Sequence, residues 1–571
     1  MKRRHRMPFG ATVEADGVRF RLWAPAARSV TLRLEGTRDI PMNKSSAGWF
    51  ELVTAEVRPG SRYRYVIDSD AVVPDPASRY QPDSVHGPSV VIDPAAFVWT
   101  DENWRGRPWH EAVMYELHVG TFTPAGTYDG AIDRLDHLVA LGVTAIELMP
   151  LSECPGAYDW GYDGVYHFAP ESSYGTPDGL KRLICAAHAR NLMVLVDVVY
   201  NHFGPEGNYL GLYAPQFFTD RYATQWGAAI NFDGDHSRVV RDFFIHNALY
   251  WVEEFHVDGL RFDAVHAIYD QSPRHILFEI SDEVAQHAHD RPVHLVLEND
   301  DNDPRFLERY TAQWNDDAHH ALHVTLTGET DGYYVDYADD PIRHLGRSLA
   351  EGFAYQGEFS QHRNRNRGAP SLIFKSTSFV SFLQNHDQVG NRACGERIAA
   401  LTSPQALRAG LAVYLLAPSP PLMFMGEEWG STQPFYFFCD FEPELAKAVR
   451  EGRKREFEQF KGFSGAILDP TARETFLASV LRWDEMDRDW LAYYQELLAV
   501  RRSVIVPRAD GAKGLDYRTN GRRLQARWRM GDGKIVALVA DLADKTMPLS
   551  DAKPFFATPG DSWRVAWYLE P

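Results

Sequence analysis

Residues 257–263 read VDGLRFD, a short apolar run that ends in an aspartate. Helical segments separate this run from seven similar runs on either side of it, at 112–118, 144–149, 192–197, 293–298, 310–316, 377–387 and 421–427. Strands that alternate with helices are typical of an α/β fold with a parallel sheet, because parallel strands need crossover connections. Eight such strands predict a closed (β/α)₈ barrel, the TIM-barrel fold.

The segments on both sides of the barrel region alternate apolar and polar residues, as half-buried strands do. In the front segment Val18, Phe20 and Leu22 alternate with arginines, after the hairpin dipeptide Asp16-Gly17. Residues 524–530 alternate in the same way behind the last predicted barrel helix. We therefore predict an N-terminal β-sandwich domain (1–95), a catalytic barrel with inserted loops (96–504) and a small C-terminal β-sheet domain (505–571).

The composition narrows the class of ligand. The 571 residues carry a formal net charge of −19, whereas nucleic-acid binding rests on clustered lysine and arginine. No apolar run is long enough to span a bilayer, so we expect neither nucleic acid nor membrane as a partner. Aromatic residues make up 13% of the chain, which suits either a well-filled core or sugar rings, whose apolar faces stack on aromatic side chains.

The cysteines and the first residues bear on the compartment. Cys154, Cys185, Cys394 and Cys439 show neither metal-ligand spacing nor the density of a disulfide framework. The basic start MKRRHRMP is not followed by the apolar stretch of about 7 to 15 residues that a signal peptide contains. We therefore expect reduced thiols and a cytoplasmic protein.

Several predicted strands end in an acidic residue just where the apolar run stops, namely at Asp197, Asp263, Glu298, Asp316 and Asp387. In a (β/α)₈ barrel the C-terminal ends of the strands surround the active site. Each of these residues alone could instead be the N-cap of the next helix, because aspartate is a common cap. Their coincidence at one rim favours a site lined by carboxyl groups.

Two carboxyl groups at a barrel mouth can cleave a glycosidic bond with retention, one attacking the anomeric carbon and the other protonating the leaving oxygen. Asp263 follows Arg261 by two residues, so both side chains point to the same face and the guanidinium can hold the aspartate ionised. Glu298 ends a very apolar run, where partial burial would keep the proton of a general acid. Asp387, beside His386, is a candidate to bind ring hydroxyls and to stabilise positive charge.

Four short strings resemble, in order, the four short sequence regions of the α-amylase family of glycoside hydrolases: DVVYNH (197–202), GLRFDAV (259–265), LVLEND (295–300) and LQNHD (383–387). The resemblance implies Asp263 as nucleophile, Glu298 as acid/base and Asp387 as transition-state stabiliser. It also implies contacts to the nucleophile or to the sugar under attack, in the −1 subsite, from Arg261, His202, His386 and Tyr162. For Tyr162, in the string WGYDGV, the alternative is a rim aromatic packed on a neighbouring loop.

Longer strings, such as ELHVGTFTPAGTYDGAI (116–132) and FLQNHDQVGNRACGERI (382–398), are similar to the members of this family that release trehalose. The front string GVRFRLWAPAARSV (17–30) resembles the glucan-binding-like sandwich of these enzymes and of branching enzymes. The resemblance implies hydrolysis of the α-1,4 bond next to the terminal trehalose unit of maltooligosyltrehalose, with related α-glucans as further ligands and trehalose as product. The alternatives are a 1,4-α-glucan branching enzyme and a non-catalytic glucan-binding protein.

Recognition of the trehalose unit requires residues beyond the three carboxylates. Trp226, after the third strand, is a candidate to stack on a glucose ring, with core packing as the alternative. A polar run follows the sixth strand and consists of Asn315, Asp316, Asp317, His319 and His320. Hydrogen bonds to trehalose hydroxyls explain this run as well as helix capping and a solvated loop do.

We expect no required metal and no other cofactor. By the resemblance, Asn201 occupies a position that helps to hold calcium in many α-amylases, but one oxygen ligand is far short of the roughly six to eight that Ca²⁺ takes. The pair His319-His320 lacks an evident third ligand for zinc.

Overall fold

Eight parallel strands close into a barrel in the computed structural model, which describes residues 1–2, 4–36, 38–458, 468–543 and 553–570. In order around the barrel, the strands are Met114–Leu117, Ala145–Leu148, Met193–Val198, Gly259–Phe262, His294–Leu297, Ala312–Trp314, Phe379–Phe382 and Pro421–Phe424. The barrel closes where Met114 of the first strand pairs with Leu422 of the eighth. The predicted (β/α)₈ fold is therefore confirmed.

Every residue of these strands is buried, on the inner and the outer face alike. Helices cover the outer face of a parallel sheet, so its strands appear in the sequence as apolar runs and not as an alternation. The polar exceptions within these runs, such as Glu116 and Arg261, point into the barrel and are considered with the site below.

Most of the helices lie between the strands, and short ones line the loops. The described helices are Val119–Phe122, Tyr128–Ile132, Leu135–Leu141, Pro177–His188, Leu210–Tyr213, Ser237–Glu254, Ile276–His287, Asp316–Thr327, Pro341–Glu351, His386–Gly390, Ile398–Leu401, Pro404–Leu415, Pro443–Glu458, Arg473–Ala478, Arg488–Val500 and Val506–Ala509. Across the parts of the chain that the structure describes, none of these helices combines the length with the apolar character that a membrane crossing needs.

The seventh barrel strand is shorter than the sequence predicted. The run 377–387 predicted a strand that ends at Asp387, whereas the strand ends at Phe382 and a helix, His386–Gly390, follows. The side-chain oxygen of Asn385 caps this helix by accepting from the backbone N–H of Asp387 at 2.9 Å. An asparagine cap satisfies amide groups at a helix start, which favours the helix over a longer strand. Asp387 therefore lies in the first turn of a helix.

The front sandwich consists of two antiparallel sheets. One contains Gly10–Glu14, Gly17–Trp23, Trp49–Thr54 and Asn43–Lys44, and the other Asp39–Pro41, Val30–Leu34, Arg62–Ile67, Ala71–Val73 and Ser89–Val90. Val18, Phe20 and Leu22 are at most 1% exposed, as the alternation predicted. Glu14 pairs with Gly17 across the predicted hairpin turn.

The C-terminal sheet packs on the barrel through two tryptophans. Its strands are Lys513–Asn520, Arg523–Arg529, Ile535–Asp541, Arg564–Glu570 and Phe556–Ala557, in that spatial order. The rings of Trp528 and Trp567 are stacked with centroids 5.5 Å apart, and both side chains are fully buried. Each indole N–H donates to a barrel helix, Trp528 to the carbonyl of Leu349 and Trp567 to that of Ala412, both at 2.9 Å.

Replacing Trp567 by alanine is expected to lower the free energy of unfolding by about 3 to 5 kcal/mol, the range for truncating a buried large aromatic. The change would leave a cavity beside Trp528 and an unpaired carbonyl at Ala412. Denaturant unfolding followed by circular dichroism measures the loss. The matched control is Trp226→Ala, because Trp226 is 44% exposed and its loss should change stability by about 0.5 kcal/mol or less. An equal loss of stability in the two variants would contradict the conclusion that Trp567 anchors the C-terminal sheet on the barrel.

Candidate active site

Three carboxyl groups meet at the C-terminal mouth of the barrel. Asp263 directly follows the fourth strand and Glu298 the fifth, and their backbone amides continue the strand ladder by donating to the carbonyls of Val198 and Phe262, each at 3.0 Å. Asp387 reaches the same mouth from the helix after the seventh strand. The side chains are 12%, 16% and 43% exposed, respectively, so all three can meet a ligand.

The fully buried guanidinium of Arg261 connects the first two of these groups. Its Nη1 donates to Asp263 Oδ1 at 2.9 Å, and its Nη2 lies 3.2 Å from Glu298 Oε2. Nη1 also donates to Asp197 Oδ2 at 2.5 Å, and the guanidinium lies over the Trp314 ring, 4.2 Å from its centroid. Arg261 therefore fixes the two carboxyl groups relative to each other and carries the charge that balances them.

Asn201 is a second hydrogen-bond donor to Asp263. Its Nδ2 donates to Asp263 Oδ2 at 2.8 Å and to the Asp263 carbonyl at 3.1 Å. Each carboxylate oxygen of Asp263 thus has one donor, Arg261 for Oδ1 and Asn201 for Oδ2. The sequence singled out Asn201 only as a weak calcium ligand, and its contact with Asp263 was not predicted.

Glu298 lies in an environment that favours its protonated form. Burial raises the pKa of this carboxyl well above its usual value; Arg261 opposes this effect, and the charges of Asp263, Asp387 and Asp316 raise the pKa further. The backbone N–H of Ala264 donates to Oε2 at 2.6 Å and fixes the orientation of the carboxyl. A carboxylic acid that keeps its proton near neutral pH is what general acid catalysis requires.

His386 lies between Asp387 and the barrel interior. Its Nδ1 donates to Glu116 Oε1 at 2.5 Å, and its Nε2 lies 3.5 Å from Asp387 Oδ1. Asp387 Oδ1 also accepts from Asn391 Nδ2 at 3.1 Å. The ring of Tyr162 stacks on the imidazole with centroids 5.1 Å apart. The predicted site residues His386, Asp387 and Tyr162 therefore form one wall of the mouth.

Tyr162 is also tied to Asp197, which the sequence noted as a rim acid but to which it gave no role. The Tyr162 hydroxyl donates to Asp197 Oδ2 at 2.7 Å. Burial raises the pKa of Asp197 to about 6, against the lowering effect of Arg261. Asp197 thus links Tyr162 to Arg261 and fixes the position of the Tyr162 hydroxyl.

His202 and Trp226 form a second wall. Their rings are stacked with centroids 5.0 Å apart and planes 11° from parallel. His202 is buried, which lowers its pKa, while the charge of Asp263 opposes this effect. Trp226 is 44% exposed, so its outer face is free of core packing and available to a ligand.

The polar run after the sixth strand divides into buried members and one accessible residue. Asn315 caps the helix Asp316–Thr327, Asp317 pairs with Arg367, and His319 Nδ1 donates to a backbone carbonyl. Asp317, His319 and His320 are at most 4% exposed. Asp316 is only half-buried, and burial together with the charge of Asp300 raises its pKa to about 7. Capping and internal pairing therefore account for Asn315, Asp317 and His319, while His320 packs against the rings of Tyr333 and Tyr337. Asp316 alone of this run remains accessible.

Within the described residues, no three His, Cys, Asp or Glu side chains converge in an arrangement that could hold a metal ion. Asn201, the position considered for calcium, directs its side-chain nitrogen to Asp263 and its side-chain oxygen to His202 Nδ1.

Comparison with known families matches the front sandwich and the first part of the barrel. The model "Alpha amylase, catalytic domain" matches residues 92–213, and "Carbohydrate-binding module 48 (Isoamylase N-terminal domain)" matches residues 8–96. A crystal structure of a candidate alpha amylase from Salmonella typhimurium superimposes with a TM-score of 0.94 at 44% identity, covering 99% of this chain and 100% of that one. A pullulanase from Anoxybacillus sp. LM18-11, at 20% identity and a TM-score of 0.72, shares the fold.

Among curated proteins, the malto-oligosyltrehalose trehalohydrolase of Saccharolobus solfataricus is 45% identical over 504 residues, which cover 87% of each chain. The enzyme of the same name from Deinococcus radiodurans is 41% identical over 553 residues, 95% of this chain and 90% of the relative. The barrel, its acidic mouth and the front module define a glycoside hydrolase of the α-amylase class. Within that class, the chain belongs to the malto-oligosyltrehalose trehalohydrolase family, which confirms the resemblance inferred from the sequence.

Proposed function

We propose that this protein hydrolyses, with retention, the α-1,4 bond next to the terminal trehalose unit of maltooligosyltrehalose and releases trehalose and a shortened maltooligosaccharide. Two relatives of that name, each above 40% identity over most of the chain, support this substrate. The observation that carries the chemistry is the single guanidinium of Arg261 in contact with both Asp263 and Glu298. A retaining mechanism needs two carboxyl groups only about 5 to 5.5 Å apart.

In this proposal Asp263 attacks the anomeric carbon while Glu298 gives its proton to the leaving oxygen of trehalose. Glu298 then takes a proton from the water that hydrolyses the glycosyl-enzyme. The two donors on Asp263, from Arg261 and Asn201, aim its oxygens. Asp387 stabilises the positive charge that develops on the sugar ring, which suits its exposed position at the mouth. No metal or other cofactor enters these steps.

The substrate contacts follow from the two walls of the mouth. Tyr162, with His386 and Arg261, is proposed to hold the sugar in the −1 subsite, and His202, which bonds the Tyr162 backbone, is proposed to contact the same sugar. Trp226 is proposed to stack on a glucose ring, because its free face continues the wall that His202 starts. Asp316 is proposed to bind hydroxyls of the substrate, because it lies close enough to Glu298 for its charge to raise the pKa of that carboxyl.

We further propose the three-domain division at 1–95, 96–504 and 505–571 and a location in the cytoplasm. The match of the carbohydrate-binding module to residues 8–96 supports the first boundary. The four cysteines are free thiols in the structure, which suits a reducing compartment.

Product analysis distinguishes this proposal from its alternatives. Incubation with maltooligosyltrehalose is expected to give trehalose, and incubation with amylose no branched glucan. A branching enzyme would give the opposite result; one such relative, GlgB of Corynebacterium jeikeium, is 28% identical and matches 74% of this chain. A non-catalytic glucan-binding protein would give no product from either. Absence of trehalose would disprove the proposed function.

Trp226→Ala is expected to raise KM for maltooligosyltrehalose about 2- to 10-fold, because an aromatic stacking contact contributes about 0.5 to 1.5 kcal/mol. The value of kcat should change less, since the ring is not among the reacting groups. Initial rates over a range of substrate concentrations measure both constants. Leu212→Ala, which removes another exposed apolar side chain, is the matched control. An unchanged KM in the tryptophan variant would remove Trp226 from the substrate-binding surface.

A further inference from the structure

A buried side chain, Glu116, holds His386 from the interior of the barrel. Glu116 lies on the first barrel strand and is 1% exposed. Both of its oxygens accept from His386: Oε1 from the ring Nδ1 at 2.5 Å and Oε2 from the backbone N–H at 3.0 Å. Two contacts to one residue fix both the position of its backbone and the rotation of its ring. Neither the motifs nor the proposed mechanism gives Glu116 a role.

The charges around His386 favour its protonated form. Burial opposes that form, as does Arg261, whereas Glu116 and then Asp387 favour it, and together they raise the pKa of His386 to about 9. Since Nδ1 is bonded to Glu116, the proton on Nε2 is the one that faces Asp387 Oδ1, 3.5 Å away. The uncharged Tyr162 and Trp160 rings cover the remaining sides, stacked and edge-on respectively.

Two further titratable groups belong to this environment, and neither supplies a charge to His386 near neutral pH. Burial lowers the pKa of His118 to about 4, so this imidazole is neutral, and its ring nitrogens bond Thr121 and Asp159. Glu147 lies opposite Glu116 on the second strand and is also 1% exposed. Burial, followed by the charge of Glu116, raises its pKa well above the usual value.

Glu147 differs from Glu116 in its contacts. Neither of its side-chain oxygens has a hydrogen-bond partner among the described residues, whereas both oxygens of Glu116 bond His386. A buried, unpaired carboxyl group stays protonated, because a low-dielectric interior penalises the charged form. Of the two carboxyl groups on these neighbouring strands, Glu116 is therefore the one that bonds His386.

We infer that Glu116 is a positioning residue of this hydrolase, which orients His386 and holds its positive charge next to Asp387 at the −1 subsite. The inference depends on the proposed hydrolysis at this site. A charged and fixed imidazole can donate from Nε2 to Asp387 or to a sugar hydroxyl, and it balances the negative charge of Asp387. Catalysis needs such groups to be held in place before the substrate arrives.

Two isosteric substitutions at paired positions test this inference. Glu116→Gln removes the charge, so the pKa of His386 falls by about 1 to 3 units, the range for the loss of an adjacent opposite charge. The alkaline limb of the pH profile of kcat/KM should move to lower pH accordingly, because the protonated imidazole is lost earlier as pH rises. At neutral pH we expect kcat/KM to fall about 10- to 100-fold, as for carboxylates that orient metal-site histidines. Glu147→Gln replaces a neutral group with a neutral group and should leave profile and rate unchanged.

The outcomes are distinct. A shifted limb in Glu116→Gln together with a wild-type profile in Glu147→Gln supports the inference. A rate loss in Glu116→Gln without a shift, or an equal shift in both variants, overturns it. If Glu116→Gln does not fold, Glu116→Asp is measured instead: its carboxylate is farther from His386, and an unshifted limb overturns the inference. If the wild-type protein releases no trehalose, the proposed substrate fails, while profiles measured on maltooligosaccharide hydrolysis still test Glu116.

Discussion

Asp263→Asn is expected to lower kcat for trehalose release on the order of 10⁴-fold or more, the scale seen when an enzyme loses its nucleophile. The amide has nearly the shape of the carboxylate but cannot attack the anomeric carbon to form the glycosyl-enzyme. Trehalose formation under single-turnover and steady-state conditions measures the loss. Circular dichroism should match the wild-type spectrum, because the substitution changes no volume, so the loss of rate is not a loss of the fold.

The matched control for this variant is Asp16→Asn, at the exposed hairpin turn of the front sandwich. It carries the same chemical change far from the barrel mouth and should leave kcat unchanged. A kcat within tenfold of wild type in Asp263→Asn would exclude Asp263 as the nucleophile. The nucleophile would then have to be another carboxylate at the mouth, and Asp387 would be the first to test.

The barrel could be predicted because its physical cause is local. Strands covered on both faces must be apolar throughout, so each appears as a short uninterrupted run, and the order of runs and helices alone defines the topology. The run 144–149, for example, contains the fully buried strand Ala145–Leu148. The front sheet could be predicted equally well, because Val18, Phe20 and Leu22 alternate with polar residues in the sequence.

The ends of elements were harder to predict, because a single polar residue decides between competing conformations. The run towards Asp387 stays apolar to Leu383, and only the side chain of Asn385 starts a helix instead of extending the strand. The same holds for Asn315 before Asp316. In both places an asparagine one or two residues before the acid was the available signal, since asparagine is among the best N-caps.

The supporting residues of the site could not be predicted for a different reason. Glu116 and His386 are 270 positions apart in the chain, and Asn201 and Asp263 are 62 apart. Closure of the barrel brings the first pair together, and pairing of the third and fourth strands brings the second pair together, so the sequence spacing predicts neither contact. The one local signal was a charged residue inside an apolar strand, as in the string AVMYELH around Glu116, because an acid buried there requires a partner.

Glu298→Gln is expected to lower trehalose release about 10²- to 10⁴-fold, the usual contribution of a general acid–base group. The pKa of Glu298 is raised by burial, so the wild-type enzyme should lose activity as pH rises through that pKa and the proton is lost. The variant has no carboxyl to titrate at this position, so its residual rate should fall at high pH only where His386 loses its proton. A pH profile of kcat/KM for both proteins measures the difference.

The leaving group separates a catalytic loss from a structural one. A maltooligosaccharide carrying 4-nitrophenol at the reducing end needs little protonation, so Glu298→Gln should still form the glycosyl-enzyme and release a burst of 4-nitrophenol. Hydrolysis of that intermediate needs a general base, so it should be slow in the variant. Azide attacks the intermediate without the help of a base and should therefore raise the steady-state rate. Glu474→Gln, at an exposed site, is expected to behave as wild type in both assays. Equal losses on both substrates, with no burst and no effect of azide, would mean that Glu298 acts through the structure of the mouth and not through its proton.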